Sequence, residues 1–140
     1  MIQRIENPLL LPKILSLAKA IDDMPIEKLE KMLVAAFTSK DARVYVDEKD
    51  NEVRGYIFGT IEQLDGEDCV FIQSCAIKPQ EEERYVGFEL LTKMKLWAKE
   101  RGLHNLYMMT KRNPKAFKKK YHFEFAYSVL KKGVDDERNV

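Results

Sequence analysis

The sequence predicts an α/β protein of the α+β type, with a mixed, mostly antiparallel central sheet and helices on both of its faces. Two amphipathic helical segments occupy most of the first forty residues, and three strand-like segments joined by short polar turns follow them. A long helix then separates the third of these strands from a fourth. Short turns suit antiparallel pairs and a helical connection suits a parallel crossover, so we expect both kinds of pairing in one sheet.

The N-terminal region predicts a short strand and two helices. Residues 1–5 form the candidate strand, and Pro8 suits the first turn of a helix. Apolar residues then recur at helical spacing as far as Ile21, and again from Ile26 to Phe37. The Asp-Asp-Met-Pro sequence at residues 22–25 separates the two helices.

The middle of the chain predicts three strands, because it is rich in β-branched and aromatic residues. The strands are Arg43 to Val46, Val53 to Ile61 and Val70 to Ile77, separated by polar turns at residues 47–52 and 65–68. The third strand is apolar enough to lie in the centre of the sheet.

The last part of the chain predicts a helix, a strand, a second helix and a closing strand. The first helix carries an apolar stripe that includes Trp97, expected in the core, and Gly102 is its predicted stop. Residues 106–110 form the next strand, and Asn113 followed by proline predicts the next helix start. Alternating aromatics at residues 123–130 predict the closing strand, and residues 134–140 a frayed tail.

Composition predicts a single domain spanning residues 1–140. The chain is 45% hydrophobic and 34% charged, with a formal net charge of +1, so bulk charge gives no attraction to nucleic acid or to acidic membranes. No run approaches the roughly 20 apolar residues of a membrane span, and Glu6 and Pro8 interrupt the pattern of a secretion signal. A cytoplasmic location is therefore the expectation.

The two cysteines are predicted to be free thiols. Cys69 and Cys75 fall on or beside one strand, where six residues span about 20 Å, whereas a disulfide needs Cα atoms within about 7 Å. The only histidines are His104 and His122, so no metal-ligand spacing is present and no metal is expected.

Element order and local motifs resemble the GCN5-related N-acetyltransferase (GNAT) family over residues 40–131. Four segments carry the resemblance: Ser-Cys-Ala-Ile-Lys-Pro at 74–79, Val-Gly-Phe-Glu-Leu-Leu at 86–91, Trp-Ala-Lys-Glu-Arg-Gly at 97–102, and Asn-x-x-Ala at 113–116. The resemblance implies the GNAT fold and transfer of an acetyl group from acetyl-CoA to an amine, either a small molecule or a peptide.

The resemblance also implies where acetyl-CoA binds. In this family the pantetheine arm pairs with the backbone of the fourth strand where that strand splays from the fifth. When the N-terminal strand is counted, the fourth strand of this chain is Val70 to Ile77, so the resemblance implies Cys75, Ala76 and Ile77. Asn113 and Phe117 would flank the pantetheine. Backbone amides of the loop that enters the long helix hold the pyrophosphate, which implies the segment Arg84, Tyr85, Val86, Gly87 and Phe88.

This loop departs from the family pattern of Arg or Gln, two residues, Gly, one residue, and Gly or Ala. In the preferred register Gly87 is the last glycine, while Glu82 replaces the Arg or Gln and Tyr85 replaces the first glycine. A register two residues later restores Arg84 and a first glycine but displaces the leucine pair. Tyrosine adds bulk and prefers φ below zero, whereas glycine permits φ above zero and close approach to phosphate.

Three consecutive glutamates, residues 81–83, leave two readings open. Carboxylates near a helix N-terminus interact favourably with its dipole and so take the electrostatic place of a phosphate. Alternatively, solvated glutamate side chains leave the amides available. The first reading corresponds to a non-catalytic GNAT-fold binding module that has lost CoA, and the second to an acetyl-CoA-dependent acetyltransferase.

Two residues are candidates for proton transfer. Tyr121 stands near the place of the family's general acid, although it is out of register with the following Phe123, and its position four residues after Phe117 favours core packing instead. Glu62, near the end of a central strand, is the candidate general base, and an exposed strand end is its alternative reading. Gln73 or Ser74 is placed to order a water molecule.

A basic segment at residues 111–120 contains six Lys or Arg side chains. It is either a solvated helix face, a set of counter-charges for the CoA phosphates, or a contact for nucleic-acid phosphates. A net charge near zero and the absence of a recognised motif disfavour nucleic acid. The sequence leaves a homodimer open.

Overall fold

We describe the fold from a computed structural model, which describes residues 1–21, 25–79, 85–109, 121–124, 126 and 128–138. The chain divides into two compact units, Met1–Met109 and Thr110–Val140, and each is described by itself. Nine elements make up the described part of the first unit: β1 (Ile2–Arg4), a 3-10 turn (Pro8–Leu10), α1 (Leu11–Ile21), α2 (Ile26–Ala36), β2 (Ala42–Lys49), β3 (Glu52–Leu64), β4 (Glu67–Ile77), α3 (Tyr85–Glu100) and β5 (Leu106–Met108).

The five strands form one sheet in the order β1-β2-β3-β4-β5. The first three pairings are antiparallel, and β4 with β5 is parallel, because α3 lies between these two strands in the chain. The predicted mixed, mostly antiparallel sheet is therefore confirmed.

Two-residue turns join the antiparallel strands. Asp50 and Asn51 connect β2 to β3 with φ of 53° and 64°, and Asp65 and Gly66 connect β3 to β4 with φ of 54° and 81°. Positive φ at both central residues is the backbone of a type I′ turn, which Asp, Asn and Gly tolerate best. Because each turn uses only two residues, the strands are longer than predicted, and Asp47 belongs to β2 rather than to a polar turn.

Helices α1 and α2 pack on one face of the sheet. Tyr56 and Phe58 of β3 point towards them and are almost completely buried. The helical residues that this core buries are Leu11, Ile14, Leu17, Ala18, Leu29, Leu33 and Ala36. The spacing of these positions is the one that predicts the two helices from the sequence.

Helix α3 packs on the opposite face, where two glycines of β3 let it approach closely. A Cβ atom at Gly55 would lie 3.0 Å from Val86 Cγ1 and 3.3 Å from the carbonyl oxygen of Ala76. A Cβ atom at Gly59 would lie 2.8 Å from Met94 Sδ. Glycine at these positions therefore sets the distance between the helix and the sheet.

The C-terminal half of α3 is fixed in the core and ends as predicted at Gly102. Trp97 is 1% exposed, and the guanidinium of Arg43 lies 5.4 Å from the centre of its ring. Gly102 adopts φ of 72°, and the Leu103 N–H donates to the Ala98 carbonyl at 2.9 Å. This is the Schellman arrangement, in which a left-handed glycine satisfies the last carbonyls of a helix.

The described residues of the second unit begin at Tyr121, which is helical and half-buried. Residues 123, 124, 126 and 128–130 lie outside any strand, so the closing strand is wrong for the described residues of that segment. Alternating aromatics indicate a half-buried surface but do not supply a pairing partner, and His122 turns the backbone with φ of 58°. The predicted helix start at Asn113 lies outside the described residues.

Replacing either β3 glycine by alanine is expected to lower the free energy of unfolding by about 1–3 kcal/mol, because the added methyl group overpacks the contact with α3. Gly55→Ala is expected to cost at least as much as Gly59→Ala, since the carbonyl of Ala76 cannot move aside as the end of Met94 can. Urea denaturation measures both.

The control is Gly133→Ala, because a Cβ atom there meets nothing within 4 Å. Its unfolding free energy is expected to stay within about 0.5 kcal/mol of wild type. Equal stability for all three variants would contradict the proposed role of the two β3 glycines.

Candidate functional site

Strand β4 has neighbours of unequal length, and this inequality defines the candidate site. On one side β3 pairs with it from Glu67 to Ile77. On the other side β5 pairs with it only at Val70, Phe71 and Ile72. Among the described residues, the parallel pairing therefore ends five residues before β4 does.

A β-bulge lies where the parallel pairing ends. Phe58 of β3 pairs with Ser74 and the next residue, Gly59, pairs with Ile72, so Gln73 is the extra residue of β4. A bulge bends its strand and redirects a side chain, and bulges are common beside functional sites.

The first turn of α3 lies beside the carboxyl end of β4. Gly55, the cross-strand partner of Ile77, is the glycine over which Val86 packs. The amides at the start of an α-helix have no partner within the helix and carry the positive end of its dipole, so they favour an anion. Ligands of open α/β sheets generally bind outside the carboxyl ends of parallel strands.

The structure brings together seven of the predicted cofactor-binding residues. Cys75, Ala76 and Ile77 form the last part of β4, beyond its pairing with β5. Tyr85, Val86, Gly87 and Phe88 form the first turn of α3. Predicted residues Arg84, Asn113 and Phe117, together with the three glutamates and the whole basic segment, lie outside the described residues.

Tyr85 occupies the position where the family pattern has glycine. It lies in helical backbone and is absent from the positive-φ residues, so this position does not require the conformational freedom of glycine. Its side chain is 72% exposed and that of Phe88 is 39% exposed. Both aromatic rings are therefore open to solvent at the start of α3.

A chain of hydrogen bonds runs along the sheet face opposite α3, from the bulge to Glu62. Gln73 Nε2 donates to Thr60 Oγ1 at 2.9 Å, and Thr60 Oγ1 donates to Glu62 Oε1 at 2.9 Å. Glu62 is exposed, whereas Thr60 and Gln73 are half-buried. The sequence singled out Glu62 and Gln73 separately and missed Thr60, because a cross-strand contact depends on the register of β3 with β4.

A second polar pair lies next to this chain. The hydroxyl groups of Tyr56 and Ser74 are 2.5 Å apart, and both residues are buried. They are diagonal neighbours across β3 and β4, because Tyr56 pairs with Ala76 and Ser74 pairs with Phe58, and Ser74 comes directly after the bulge. The pair places a buried hydroxyl beside the last residues of β4.

Tyr121, the predicted general acid, belongs to the second unit, where it is helical and half-buried. Its role stays a prediction, as do those of Glu62 and of the predicted cofactor-binding residues.

Burial raises the pKa of the Cys69 thiol, and the carboxylates of Glu62 and Asp68 raise it further. Cys69 pairs with Glu62 across the strands, which explains the second contribution. Both cysteines are free thiols, as predicted. Cys69 is therefore held in its neutral form at physiological pH.

Asp47 is a buried charge that the sequence assigned to a turn. It is 1% exposed, and its carboxylate lies 2.5 Å from Arg54 Nη2 and 2.9 Å from the amino group of Met1. Its cross-strand partner is Gly55, so this ion pair supports the sheet close to the first turn of α3.

The described residues contain no group of three His, Cys, Asp or Glu side chains arranged to hold a metal ion. Across the same residues, no helix is both long and apolar enough to cross a membrane.

Fold and site together define an α+β protein with a parallel strand–helix–strand unit that opens at the carboxyl end of its first strand. The sequence profile of the Acetyltransferase (GNAT) family matches residues 15–123. The chain belongs to the GNAT acetyltransferase family, and the resemblance that the sequence motifs indicate is confirmed. No curated protein sequence matches it significantly.

Solved structures of several acetyltransferases share the fold along nearly the whole chain. Aminoglycoside 6′-N-acetyltransferase AAC(6′)-IG from Acinetobacter haemolyticus superposes with a TM-score of 0.81 and 14% identity, covering 98% of this chain and 99% of that one. AAC(6′)-Iy in complex with the bisubstrate analog CoA-S-monomethyl-acetylneamine superposes with a TM-score of 0.78 and 15% identity, covering 95% of this chain and 96% of that one.

A third solved structure is the acetyltransferase meta-AAC0020, from an uncultured soil metagenomic sample, in complex with sisomicin. It gives a TM-score of 0.71 and 16% identity, with 96% of each chain covered.

The raised pKa of Cys69 predicts a loss of stability at alkaline pH. Its contribution is fully present below the unfolded thiol pKa of about 8.5 and is lost as pH rises through the folded pKa, because the unfolded chain then binds fewer protons. We expect Cys69→Ala to show a shallower fall in unfolding free energy above this pH than wild type, measured by urea denaturation. Val70→Ala, at a buried neighbour that carries no titratable group, is the control and should retain the wild-type slope; equal slopes for wild type and Cys69→Ala would contradict this assignment.

Proposed function

We propose that this protein is an N-acetyltransferase that transfers the acetyl group of acetyl-CoA to an amine. The observation that carries the proposal is the opening of the sheet between β4 and β5 beside the first turn of α3. A strand edge that continues past its parallel partner suits the amide-containing pantetheine arm. A helix N-terminus suits the pyrophosphate.

Membership of the family and the CoA-containing complex of AAC(6′)-Iy support acetyl-CoA as the co-substrate. In our proposal Cys75, Ala76 and Ile77 bind the pantetheine through backbone groups. The segment from Arg84 to Phe88 binds the pyrophosphate, and Asn113 and Phe117 flank the pantetheine.

The amine attacks the thioester carbonyl carbon, so that a C–N bond forms and the carbonyl oxygen becomes an oxyanion. An amide of β4 stabilises that oxyanion. The C–S bond then breaks, the thiolate of CoA leaves and takes a proton from Tyr121, and the amine nitrogen loses its proton to water on the side of Glu62. Holding amine and thioester together supplies much of the acceleration.

We propose a cationic, amino-rich small molecule as the acceptor. Sisomicin and a neamine derivative are the amines in complexes of structurally similar proteins. The β3–β4 hairpin adds the exposed carboxylates Glu62, Glu67 and Asp68, which would attract such a molecule.

A non-catalytic GNAT-fold binding module is the second candidate. Tyr85 in place of a glycine favours it, because a bulky residue at the start of α3 can obstruct a phosphate. The helical backbone and the exposure of Tyr85 favour the enzyme. An exposed side chain is not packed against the protein at the start of α3, so it can turn aside when a phosphate binds there.

Acetyl-CoA titration tests the proposal. At 100 times its Kd a ligand stabilises a protein by about 2.7 kcal/mol, which raises the melting temperature of a domain this size on the order of 5–10 °C. We expect heat of binding and such a shift with acetyl-CoA, a smaller shift with dephospho-CoA, and release of the CoA thiol when sisomicin is added. The absence of both heat of binding and a melting-temperature shift at millimolar acetyl-CoA would overturn the enzyme proposal and favour the non-catalytic binding module.

Substitution of Gly87 separates the effects on folding and on binding. Alanine has a better helix propensity than glycine by up to about 1 kcal/mol, so Gly87→Ala is expected to keep or raise the melting temperature of the free protein. We expect the same methyl group to weaken acetyl-CoA binding about tenfold, because it stands where the pyrophosphate approaches the backbone. Calorimetry and thermal melts measure the two effects; unchanged affinity would remove Gly87 from the site.

A further inference from the structure

The hydrogen-bond chain from Gln73 to Glu62 has a direction that its end group imposes. An ionised carboxylate only accepts hydrogen bonds, so the Thr60 hydroxyl must donate its single hydrogen to Glu62. The Thr60 oxygen can then only accept from Gln73, which must present its Nε2 amino group. The orientation of the Gln73 amide is thus fixed by a charge two hydrogen bonds away.

A consequence follows for the other end of the Gln73 amide. With Nε2 committed to Thr60, the carbonyl oxygen Oε1 on the other side of the amide is directed away from Thr60, and it has no hydrogen-bond partner among the described residues. Gln73 is half-buried and is the bulged residue of β4, directly after the last residue that pairs with β5. An oriented acceptor therefore lies where the sheet opens.

We propose that Gln73 Oε1 accepts a hydrogen bond from the N–H of the acceptor amine and so directs its lone pair at the thioester carbon. This inference rests on the proposed acetyltransferase function. Gln73 takes no proton and forms no covalent bond. Thr60 and Glu62 are positioning residues, which act on the amine through the orientation of Gln73.

The proposal gives Glu62 a different role from that of a general base in direct contact with the amine. Its exposed carboxylate accepts the hydrogen of the Thr60 hydroxyl and so holds that hydroxyl in one direction. A hydrogen bond to a charged group is stronger than one between neutral groups, which favours this direction over its reverse.

Glu62→Gln tests whether the direction of the hydrogen bonds matters, or only the contact between the three side chains. A glutamine at this position can donate as well as accept, so the Thr60 hydroxyl is free to donate towards residue 73 instead. The Gln73 amide then loses its imposed orientation, although all three side chains keep a partner. Thr60→Val breaks the chain while nearly conserving side-chain shape, and Thr60→Ser retains the hydroxyl.

Side-chain amide NMR measures the orientation without catalysis. The Gln73 signals are assigned by their absence in Gln73→Met. We expect one Nε2 hydrogen of wild type and Thr60→Ser to exchange slowly with solvent, and this protection to be lost in Thr60→Val and reduced in Glu62→Gln. Rapid exchange of both Nε2 hydrogens of Gln73 in wild type would contradict the hydrogen bond from Gln73 to Thr60.

Acetyl transfer to sisomicin measures the role of the oriented carbonyl. We expect kcat/KM for sisomicin to fall about tenfold in Gln73→Met and in Thr60→Val, the size of one hydrogen bond, with acetyl-CoA affinity unchanged. The double variant should fall no further than Gln73→Met alone, because Thr60 acts only through Gln73. Thr60→Ser should restore activity, and Gln63→Ala, an exposed neighbour on β3, should leave it unchanged.

Additive losses in the double variant, or wild-type kcat/KM in Gln73→Met, would overturn the proposal. If acetyl-CoA binds but neither sisomicin nor neamine is acetylated, the role of Gln73 towards these amines is overturned. The NMR result on the orientation of the Gln73 amide is unaffected by that outcome. If acetyl-CoA itself does not bind, the proposed function fails first, and calorimetry shows this separately from the NMR result.

Discussion

The close approach of α3 to β3 at Gly55 and Gly59 is the contact on which the rest of the site depends. A Cβ atom at Gly59 would meet Met94 Sδ at 2.8 Å, whereas one at Gly55 would meet Val86 Cγ1 at 3.0 Å and the carbonyl oxygen of Ala76 at 3.3 Å, so a larger side chain at Gly55 would fit only if α3 moved away from the sheet. Its first turn would then leave the carboxyl end of β4. A helix N-terminus acts on an anion only within about one turn of its end, so a displacement of this kind would separate the amides from any phosphate aligned with β4.

The second constraint is the unequal pairing of β4, which serves two purposes at once. Its antiparallel partner β3 supports the strand to Ile77, so the backbone beyond Ile72 is held in an extended form. Among the described residues its parallel partner β5 ends at Met108, so in this part of the chain the other edge of β4 is unpaired where the bulge redirects Gln73. Rigid support on one side and an opening on the other are what a strand needs in order to bind an extended amide chain.

Much of the fold followed from the sequence because its signals are local. The spacing of Leu29 and Leu33 predicts α2, and Gly102 marks the end of α3, as the structure confirms. Signals that depend on pairing were missed: Asp47 read as a turn residue because its half-buried partner Arg54 reaches it only when β2 pairs with β3 in the observed register. Thr60 was missed for the same reason. The closing strand at residues 123–130 rested on alternation alone, which does not specify a partner.

The topology also orders the events of folding. Strands β2, β3 and β4 are joined by two-residue turns, so their contacts close short loops and form early. Strand β5 reaches β4 only after the chain has passed through α3, and within the described residues it pairs with β4 at three positions. We therefore infer that the hairpins form first and the parallel pair last, and that thermal fluctuations of the native sheet separate β5 from β4 before they disturb the hairpins. The opening beside β4 is bounded by the part of the sheet that is easiest to widen, which suits a pocket that must admit and release a long, flexible molecule.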